Sequence, residues 1–237
     1  ELAKALAAIL GRRLVRLQCY EGLDEAKAIY EWNYKKQLLR IQAGQDESWE
    51  SLESDIFSEE FLLARPLLQG ILSEQPVVLL IDEIDRVEVE TEALLLEVLS
   101  DFQVSVPELG TMVARTRPLV LLTSNNTREL SEALKRRCLF LHIGYPTIDR
   151  EREILLARVA DLPAVLAEQV ARVVASIRDL DLKKAPSVSE SIDWARTLLA
   201  LGVETVDSAV LDDTLHVLLK YQTDLEIARR ELVDASA

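Results

Sequence analysis

The feature that most limits the possible folds of this chain is an unbroken apolar run, VVLLI, at residues 77–81. A strand that is buried on both faces has this composition, and such strands lie in the middle of parallel α/β sheets. The run ends in Asp82 and Glu83. Because open parallel sheets bind their ligands at the carboxyl ends of the strands, this acidic pair marks a candidate site.

Three other segments have the character of strands. Residues 14–19 alternate between apolar and polar, residues 119–124 are apolar and lead into two asparagines, and residues 139–143 follow a basic segment. Helical spacing and turn signals predict the other elements of this half, which are a helix at 1–10 with Leu2, Leu6, Ile9 and Leu10 as its apolar stripe, helices at 24–41, 59–72 and 92–99, a surface loop at 44–54 and a short hairpin at 102–112.

The sequence changes character after Tyr145 and Pro146. A 3.6-residue period then replaces the strand-like runs, which predicts a small helical bundle. Its four segments are 151–159, 163–177, 189–201 and 206–219. We therefore expect an α/β domain over residues 1–145 and an all-α domain over residues 146–237.

Charge and hydropathy exclude several classes of protein. Of the 237 residues, 27 are basic and 41 are acidic, and the net charge of −14 disfavours unassisted binding to nucleic acid or to anionic membranes. No apolar run approaches the roughly 20 residues that span a bilayer, and the sequence does not start with the pattern of a signal peptide. We expect a cytoplasmic protein with no nucleic-acid partner and no membrane insertion.

Three segments resemble the motifs of AAA+ ATPases, and they occur in the order found in that family. VVLLIDEIDR (77–86) resembles a Walker B motif, TSNN (123–126) a sensor-one segment, and EALKRRC (132–138) an arginine-finger segment. The closest resemblance is to the MoxR family, in the branch that includes CoxD-type proteins. It is carried by CYEGLDEAKAIYEWNYKKQLL (19–39), FSEEFLLARPLLQGIL (57–72), FQVSVPELG (102–110) and SESIDWARTLLALG (189–202).

This resemblance implies a fold, an activity and partners. The fold is a P-loop NTPase-type parallel α/β domain followed by a small all-α lid. The activity is binding and hydrolysis of ATP with Mg²⁺. The partners are other copies of the chain in a ring, expected to be a hexamer, and a client that is a metalloenzyme or a von Willebrand factor A-domain protein, for whose maturation the ATPase acts as a chaperone.

The resemblance also implies roles for single residues. Asp82 would bind Mg²⁺ and hence the nucleotide, and Glu83 would polarise the attacking water. Asn125 would hold that water against the γ-phosphate, with Asn126 as a turn residue. Arg137, with Arg136 left open, would reach the nucleotide of the neighbouring subunit.

Simpler interpretations exist for the same residues. Asp82 and Glu83 could begin a helix, Asn125 could be a turn former, and Arg136 and Arg137 could be a solvated pair at a helix end. Asp85 and Arg86, which follow the acidic pair, are interpreted as a solvated helix start or a subunit contact.

The sequence departs from the family pattern in two places. No G-x-x-x-x-G-K-S/T loop is present, and ELAKALA at the start looks like the helix that follows such a loop. We therefore expect a chain truncated just after the Walker A motif, without its first strand and inactive by itself. The lid has no arginine at the sensor-two position, for which Lys183, Lys184 or Arg196 could substitute.

Two other classes of function remain as alternatives. A non-hydrolysing interaction module would keep the AAA+ fold without the chemistry, but it would have no need of Glu83, Asn125 and Arg137 together. A DNA-remodelling AAA+ protein is disfavoured by the net charge of −14.

Overall fold

The structure, a computed structural model, describes residues 1–44 and 48–233. The chain divides into two compact units, Glu1–Phe140 and Leu141–Ala237. The first unit is a mixed α/β domain with a three-stranded parallel sheet, and the second is helical. The predicted fold class, a parallel α/β domain followed by an all-α region, is confirmed.

The parallel sheet has the strand order β1-β4-β7, with β1 at Leu14–Gln18, β4 at Val78–Asp82 and β7 at Leu119–Leu122. The middle strand, β4, is the apolar run of the sequence, and all its residues before Asp82 are buried. The register pairs Gln18 with Asp82 and Ile81 with Leu122. All three strands therefore end at the same edge of the sheet, where Asp82 lies.

The first helix, α1 at Leu2–Ile9, covers one face of the sheet through small side chains. Ala3 and Ala7 are buried against Val78 and Leu80 of β4. The predicted apolar stripe is not the buried face of the helix, because Leu2 is 50% exposed and Ile9 is 79% exposed. Alanines allow the helix backbone to approach the strand closely, and the larger side chains then lie on the side away from the sheet.

The helix predicted at 24–41 is interrupted by a strand. The structure has α2 at Glu25–Ala28, β2 at Tyr30–Trp32 and α3 at Tyr34–Ala43. Asp24 and Asn33 each accept a backbone N–H in the first turn of the helix that follows, so two short helices begin separately. The aromatic ring of Trp32, the last residue of β2, packs edge-on against Phe57, and this contact favours the strand between α2 and α3.

The helix predicted at 59–72 is also wrong over its first half. A 3₁₀ turn at Glu59–Phe61 leads into β3 at Leu62–Ala64, which pairs antiparallel with β2, and only α5 at Pro66–Ile71 is helical. Pro66 occupies the first turn of α5, where its missing N–H costs no hydrogen bond.

The surface loop predicted at 44–54 is replaced in part by a helix. Residues 45–47 lie outside the described residues, but α4 spans Trp49–Ile56. Ser48 caps it, and Leu52 and Ile56 are its buried residues. The spacing of these two apolar residues is helical, but the polar residues around them obscured it.

The other predicted elements of the first unit are found, with one exception. A 3₁₀ turn at Ile84–Arg86 precedes α6 at Val89–Asp101, and the predicted hairpin is formed by β5 at Gln103–Val106 and β6 at Gly110–Val113. A short helix, α7, spans Glu132–Lys135. The strand predicted at 139–143 is wrong, since no strand of the described residues pairs with it, and Leu139 and Phe140 are almost fully exposed.

The second unit is a helical bundle, as predicted, with a further helix at its end. Trp194 is completely buried in its core, and the indole Nε1 donates a 2.8 Å hydrogen bond to Thr214 Oγ1. Across the described residues of the whole chain, no helix has the length and apolarity that a bilayer crossing requires. The helices of the bundle are α8 at Ile148–Arg158, α9 at Ala164–Arg178, α10 at Val188–Ala200, α11 at Ser208–Leu218 and α12 at Gln222–Ala228.

The corrected face of α1 leads to a prediction about stability. We expect Ala7→Leu to lower the free energy of unfolding by about 1–3 kcal/mol, because Ala7 is buried against β4 and a larger side chain would have to displace its neighbours. The control, Ile9→Ala, shortens an exposed side chain and should change it by less than about 0.5 kcal/mol. Urea unfolding followed by circular dichroism measures both values, and a larger loss for Ile9→Ala would contradict the assignment of the buried face.

Candidate functional site

The carboxyl edge of the parallel sheet brings together polar side chains from all three strands. Asp82 and Glu83 come from the end of β4, Thr123 follows β7, and Arg16 and Gln18 lie on β1. Parallel pairing in register causes this convergence, because it places the three carboxyl ends side by side.

Both carboxylate oxygens of Asp82 accept hydrogen bonds. The Thr123 hydroxyl donates to Oδ1 at 2.5 Å, and the Arg16 guanidinium donates to Oδ2 from Nε at 3.0 Å and from Nη2 at 2.5 Å. Burial alone raises the pKa of Asp82, but the bonds from Thr123 and Arg16 outweigh it and hold the pKa below its usual range. Asp82 is therefore a carboxylate at neutral pH, and its oxygens are hard anionic ligands.

The Glu83 backbone has the left-handed conformation, with φ 59° and ψ 50°, which is uncommon for a residue with a side chain. Its N–H donates to Thr123 Oγ1 at 3.0 Å, and the next N–H, of Ile84, donates to the Thr123 carbonyl at 2.9 Å. These two bonds hold the strand end in the turn that directs the Glu83 side chain into the site. Left-handed residues of this kind are often found at functional sites.

Three side chains contact the Glu83 carboxylate. Gln18 Nε2 donates to Oε2 at 3.2 Å, Arg86 Nε forms an ion pair with Oε2 at 2.9 Å, and Asn125 Nδ2 donates to Oε1 at 3.4 Å. The structure therefore brings together three of the sequence-predicted site residues, Asp82, Glu83 and Asn125. It also places Arg86 next to Glu83.

The two asparagines after β7 have different conformations. Asn126 is left-handed, with φ 58°, and its N–H donates to Ser124 Oγ at 3.0 Å. The prediction that Asn126 is the turn residue is confirmed. Asn125 is the one whose side chain reaches Glu83, at the distance given above.

Arg136 and Arg137 lie at the end of α7, and both are exposed. Arg137, two residues after the end of α7, donates from Nη1 to the carbonyl of Ala133 in that helix at 3.1 Å. Within the described residues, the structure shows no contact of either arginine with Asp82, Glu83 or Asn125. Their position on the surface is where a residue that acts on a neighbouring subunit would have to lie.

Asp85 is a site residue whose environment was predicted wrongly. It is only 4% exposed, where a solvated helix start was expected, because its carboxylate accepts hydrogen bonds from the loop after β7. Arg16, Gln18 and Thr123 were not assigned roles from the sequence. The alternation of residues 14–19 indicated that Arg16 and Gln18 share one face of a strand, but the identity of the neighbouring strand could not be read from it.

Cys19 follows β1 and is buried beside the same acids. Burial first, and then the charges of Asp82, Asp85 and Glu83, raise its pKa to about 12. The residue is therefore a thiol at neutral pH, and it lacks the thiolate that a nucleophile or metal ligand needs.

The side chains of the site suit one hard divalent cation that takes most of its ligands from water and phosphate. Among the described residues, no group of three or more His, Cys, Asp or Glu side chains could hold a metal. Mg²⁺ is commonly bound through one or two carboxylates together with water and phosphate oxygens. Asp82 can supply such a carboxylate, although Thr123 donates a hydrogen bond to one of its oxygens and Arg16 to the other.

The left-handed turn at Glu83 leads to a second prediction. We expect Glu83→Gly to have a free energy of unfolding about 1 kcal/mol higher than Glu83→Ala, because a left-handed residue with a Cβ costs about 1–2 kcal/mol that glycine avoids. Both variants lose the same carboxylate contacts, so the difference between them isolates the backbone. Parallel urea titrations test this, and an alanine variant at least as stable as the glycine variant would contradict it.

A family model described as the AAA domain of the dynein-related subfamily matches residues 1–138, which is more than half of the chain. No curated protein matches the sequence. The matched residues include the sheet, the acidic pair, Asn125 and both candidate arginines. The chain therefore belongs to the AAA domain family, in its dynein-related subfamily.

Proposed function

We propose that this chain is the principal part of an ATP-hydrolysing AAA+ ATPase of the MoxR type. AAA domains generally bind ATP with Mg²⁺. The observation that carries the proposal is the direct contact of Glu83 with Asn125 beside an ionised Asp82, at the carboxyl edge of a parallel sheet. AAA+ ATPases use side chains of these types to hydrolyse ATP. In this proposal residues 1–145 are the nucleotide-binding core and residues 146–237 are the lid.

Each residue has one task in this proposal. Asp82 would hold Mg²⁺, and the ion would supply positive charge to the phosphates of a bound nucleotide. Glu83 accepts a proton from the attacking water, and Asn125 holds that water in place from the other side. Arg137, or Arg136 in its place, stabilises the charge that develops in the active site of a neighbouring subunit.

The phosphates also need a binding loop, and the sequence contains no G-x-x-x-x-G-K-S/T spacing. We propose that a phosphate-binding loop from outside these 237 residues completes the site, and that the 237 residues alone bind ATP weakly. Experiments on hydrolysis therefore use the extended protein, meaning this chain together with that loop. An extended protein that contains a phosphate loop but shows no ATPase activity would overturn the proposed function.

The proposed cellular role is a chaperone that matures other proteins. Support comes from the four MoxR-like segments, and from AAA+ proteins typically assembling into rings. The proposed assembly is a hexamer, the proposed client is a metalloenzyme or a von Willebrand factor A-domain protein, and the proposed location is the cytoplasm. Native mass spectrometry of the extended protein with ATP tests the hexamer.

One observation favours a second candidate, a non-hydrolysing interaction module. Both acids of the site contact guanidinium groups, since Arg16 pairs with Asp82 and Arg86 pairs with Glu83. Cations in these positions could replace Mg²⁺ rather than be displaced by it. The two candidates differ in one measurable property, which is ATP turnover that depends on Glu83.

The third prediction separates water activation from binding. In the extended protein, Glu83→Gln keeps the shape of the side chain and removes the base, so ATP should bind while turnover falls by about two orders of magnitude or more. Asp82→Asn should instead weaken Mg²⁺-dependent binding of ATP. Calorimetry and a phosphate-release assay measure the two effects, and equal loss of binding in both variants would show that the roles are wrongly assigned.

The fourth prediction tests the arginine across a subunit boundary. Arg137→Ala should bind ATP and fail to hydrolyse it, and mixing it with Glu83→Gln subunits should restore part of the turnover. Restoration is expected because a mixed ring has interfaces where an intact Glu83 meets an intact Arg137. Since arginine fingers contribute about a thousandfold or more in turnover, a small fraction of such interfaces is measurable.

Arg115→Ala serves as the matched control for this experiment. Arg115 is an exposed arginine of the same unit, and it pairs with Glu74 on the surface. Its removal should leave hydrolysis unchanged. If mixed rings form and turnover stays at the level of the separate variants, Arg137 does not act in trans, and Arg136 takes its place in the same experiment.

A further inference from the structure

We propose that Asp85 is a positioning residue, which fixes the loop after β7 so that the Asn125 side chain lies against Glu83. The structural part of this proposal concerns contacts within this chain. The consequence for ATP turnover rests on the proposed function.

The Asp85 carboxylate accepts three hydrogen bonds from that loop. Oδ2 accepts from the Thr127 N–H at 2.8 Å and from the Thr127 hydroxyl at 2.6 Å, and Oδ1 accepts from the Asn125 N–H at 3.2 Å. Asp85 itself is 4% exposed. Bonds to an ionised acceptor are stronger than neutral ones, and burial protects them from competition by water.

The three bonds restrain the backbone on both sides of Asn126. Asn125 and Thr127 both direct their N–H groups to the same carboxylate, and the left-handed Asn126 forms the bend between them. With its backbone held in this way, Asn125 places Nδ2 3.4 Å from Glu83 Oε1. No other side chain of the described residues is seen to accept a hydrogen bond from the Asn125 N–H.

A different acid holds the far end of the same loop. Glu92, on α6, accepts from the Ser131 N–H at 2.9 Å and pairs with Arg128 Nη2 at 2.8 Å. It is not among the contacts of Asn125. Asp85 is therefore the acid that holds the backbone of Asn125, while Glu92 holds the start of α7.

The direction of the Asp85 pKa agrees with this arrangement. Burial alone would raise it, but the bonds from the Thr127 hydroxyl and from the N–H groups of Thr127 and Asn125 lower it overall. The loop is thus bound to the ionised carboxylate. An amide in its place would turn an N–H₂ group toward one of the donors and would hold the loop less well.

The test has a structural arm that uses the 237-residue chain. Hydrogen exchange of the Asn125 and Thr127 amides, measured by nuclear magnetic resonance, should become about tenfold faster or more in Asp85→Ala, as expected for the loss of bonds to a charged acceptor. Asp85→Asn should give a smaller increase. Thr127→Val keeps the backbone bond of Thr127, so it should change the Asn125 rate least.

A kinetic arm uses the extended protein and separates positioning from general damage. Asp85→Ala and Asp85→Asn should lower kcat for ATP about tenfold or more, while KM changes by less than about threefold. The control is Glu151→Gln, which alters a buried acid that pairs with Arg178 inside the helical unit. Glu151→Gln should lower stability without altering kcat or the exchange rates of Asn125 and Thr127.

Each outcome decides one part of the proposal. Unchanged exchange at Asn125 and Thr127 in both Asp85 variants overturns the positioning role, as does a kcat loss no larger than that of Glu151→Gln. If the extended wild-type protein hydrolyses no ATP, the proposed function fails, and the exchange rates still decide whether Asp85 holds the loop. Should Asp85→Ala not fold, Asp85→Asn decides both arms.

Discussion

Parallel hydrogen bonding of β4 on both of its sides is the interaction on which the first unit depends. Its register places the last residue of the strand, Asp82, beside Gln18, and it brings the segment after β7 alongside the turn after β4. Because a one-residue slip of β4 toward its start would draw the charged Asp82 into the buried part of the sheet, the acidic pair is held at a fixed height on the sheet. The position of the candidate site therefore follows from the burial of the strand that leads into it.

Concentrating acids at this edge has an electrostatic cost, and the structure offsets it locally. Asp82, Asp85 and Glu92 are largely withdrawn from water, yet each has a lowered pKa, because hydrogen bonds to the ionised form outweigh burial. The guanidinium of Arg16 contributes at Asp82, and that of Arg128 contributes at Glu92. At Asp82 the Arg16 guanidinium would compete with a divalent cation, so the affinity of the proposed site for Mg²⁺ would depend on how easily Arg16 moves aside.

The sequence predicted the elements whose pattern is local, and it failed where distant residues decide. The continuous run of β4 and the 3.6-residue period of the bundle are local, and both were found. The face of α1 depends on how closely the helix approaches β4, which favours alanine over the larger residues of the stripe. The helix predicted at 24–41 is interrupted by β2, which depends on pairing with β3. The strand predicted at 139–143 has no partner strand in the described residues. Apolar composition alone cannot provide a partner strand.

The site shows the same limit at the level of single residues. Asp82, Glu83 and Asn125 lie at or shortly after strand ends, so a motif could locate them. The roles of Asp85 and Thr123 depend instead on contacts between the segments that follow β4 and β7. Thr123 accepts the Glu83 N–H, and Asp85 fixes the loop that begins just after Thr123. A left-handed residue other than glycine persists only where its surroundings determine it from several directions. The conformation of Glu83 is therefore a property of both strand ends together, and a change that loosens the loop after β7 should also loosen the turn that aims Glu83.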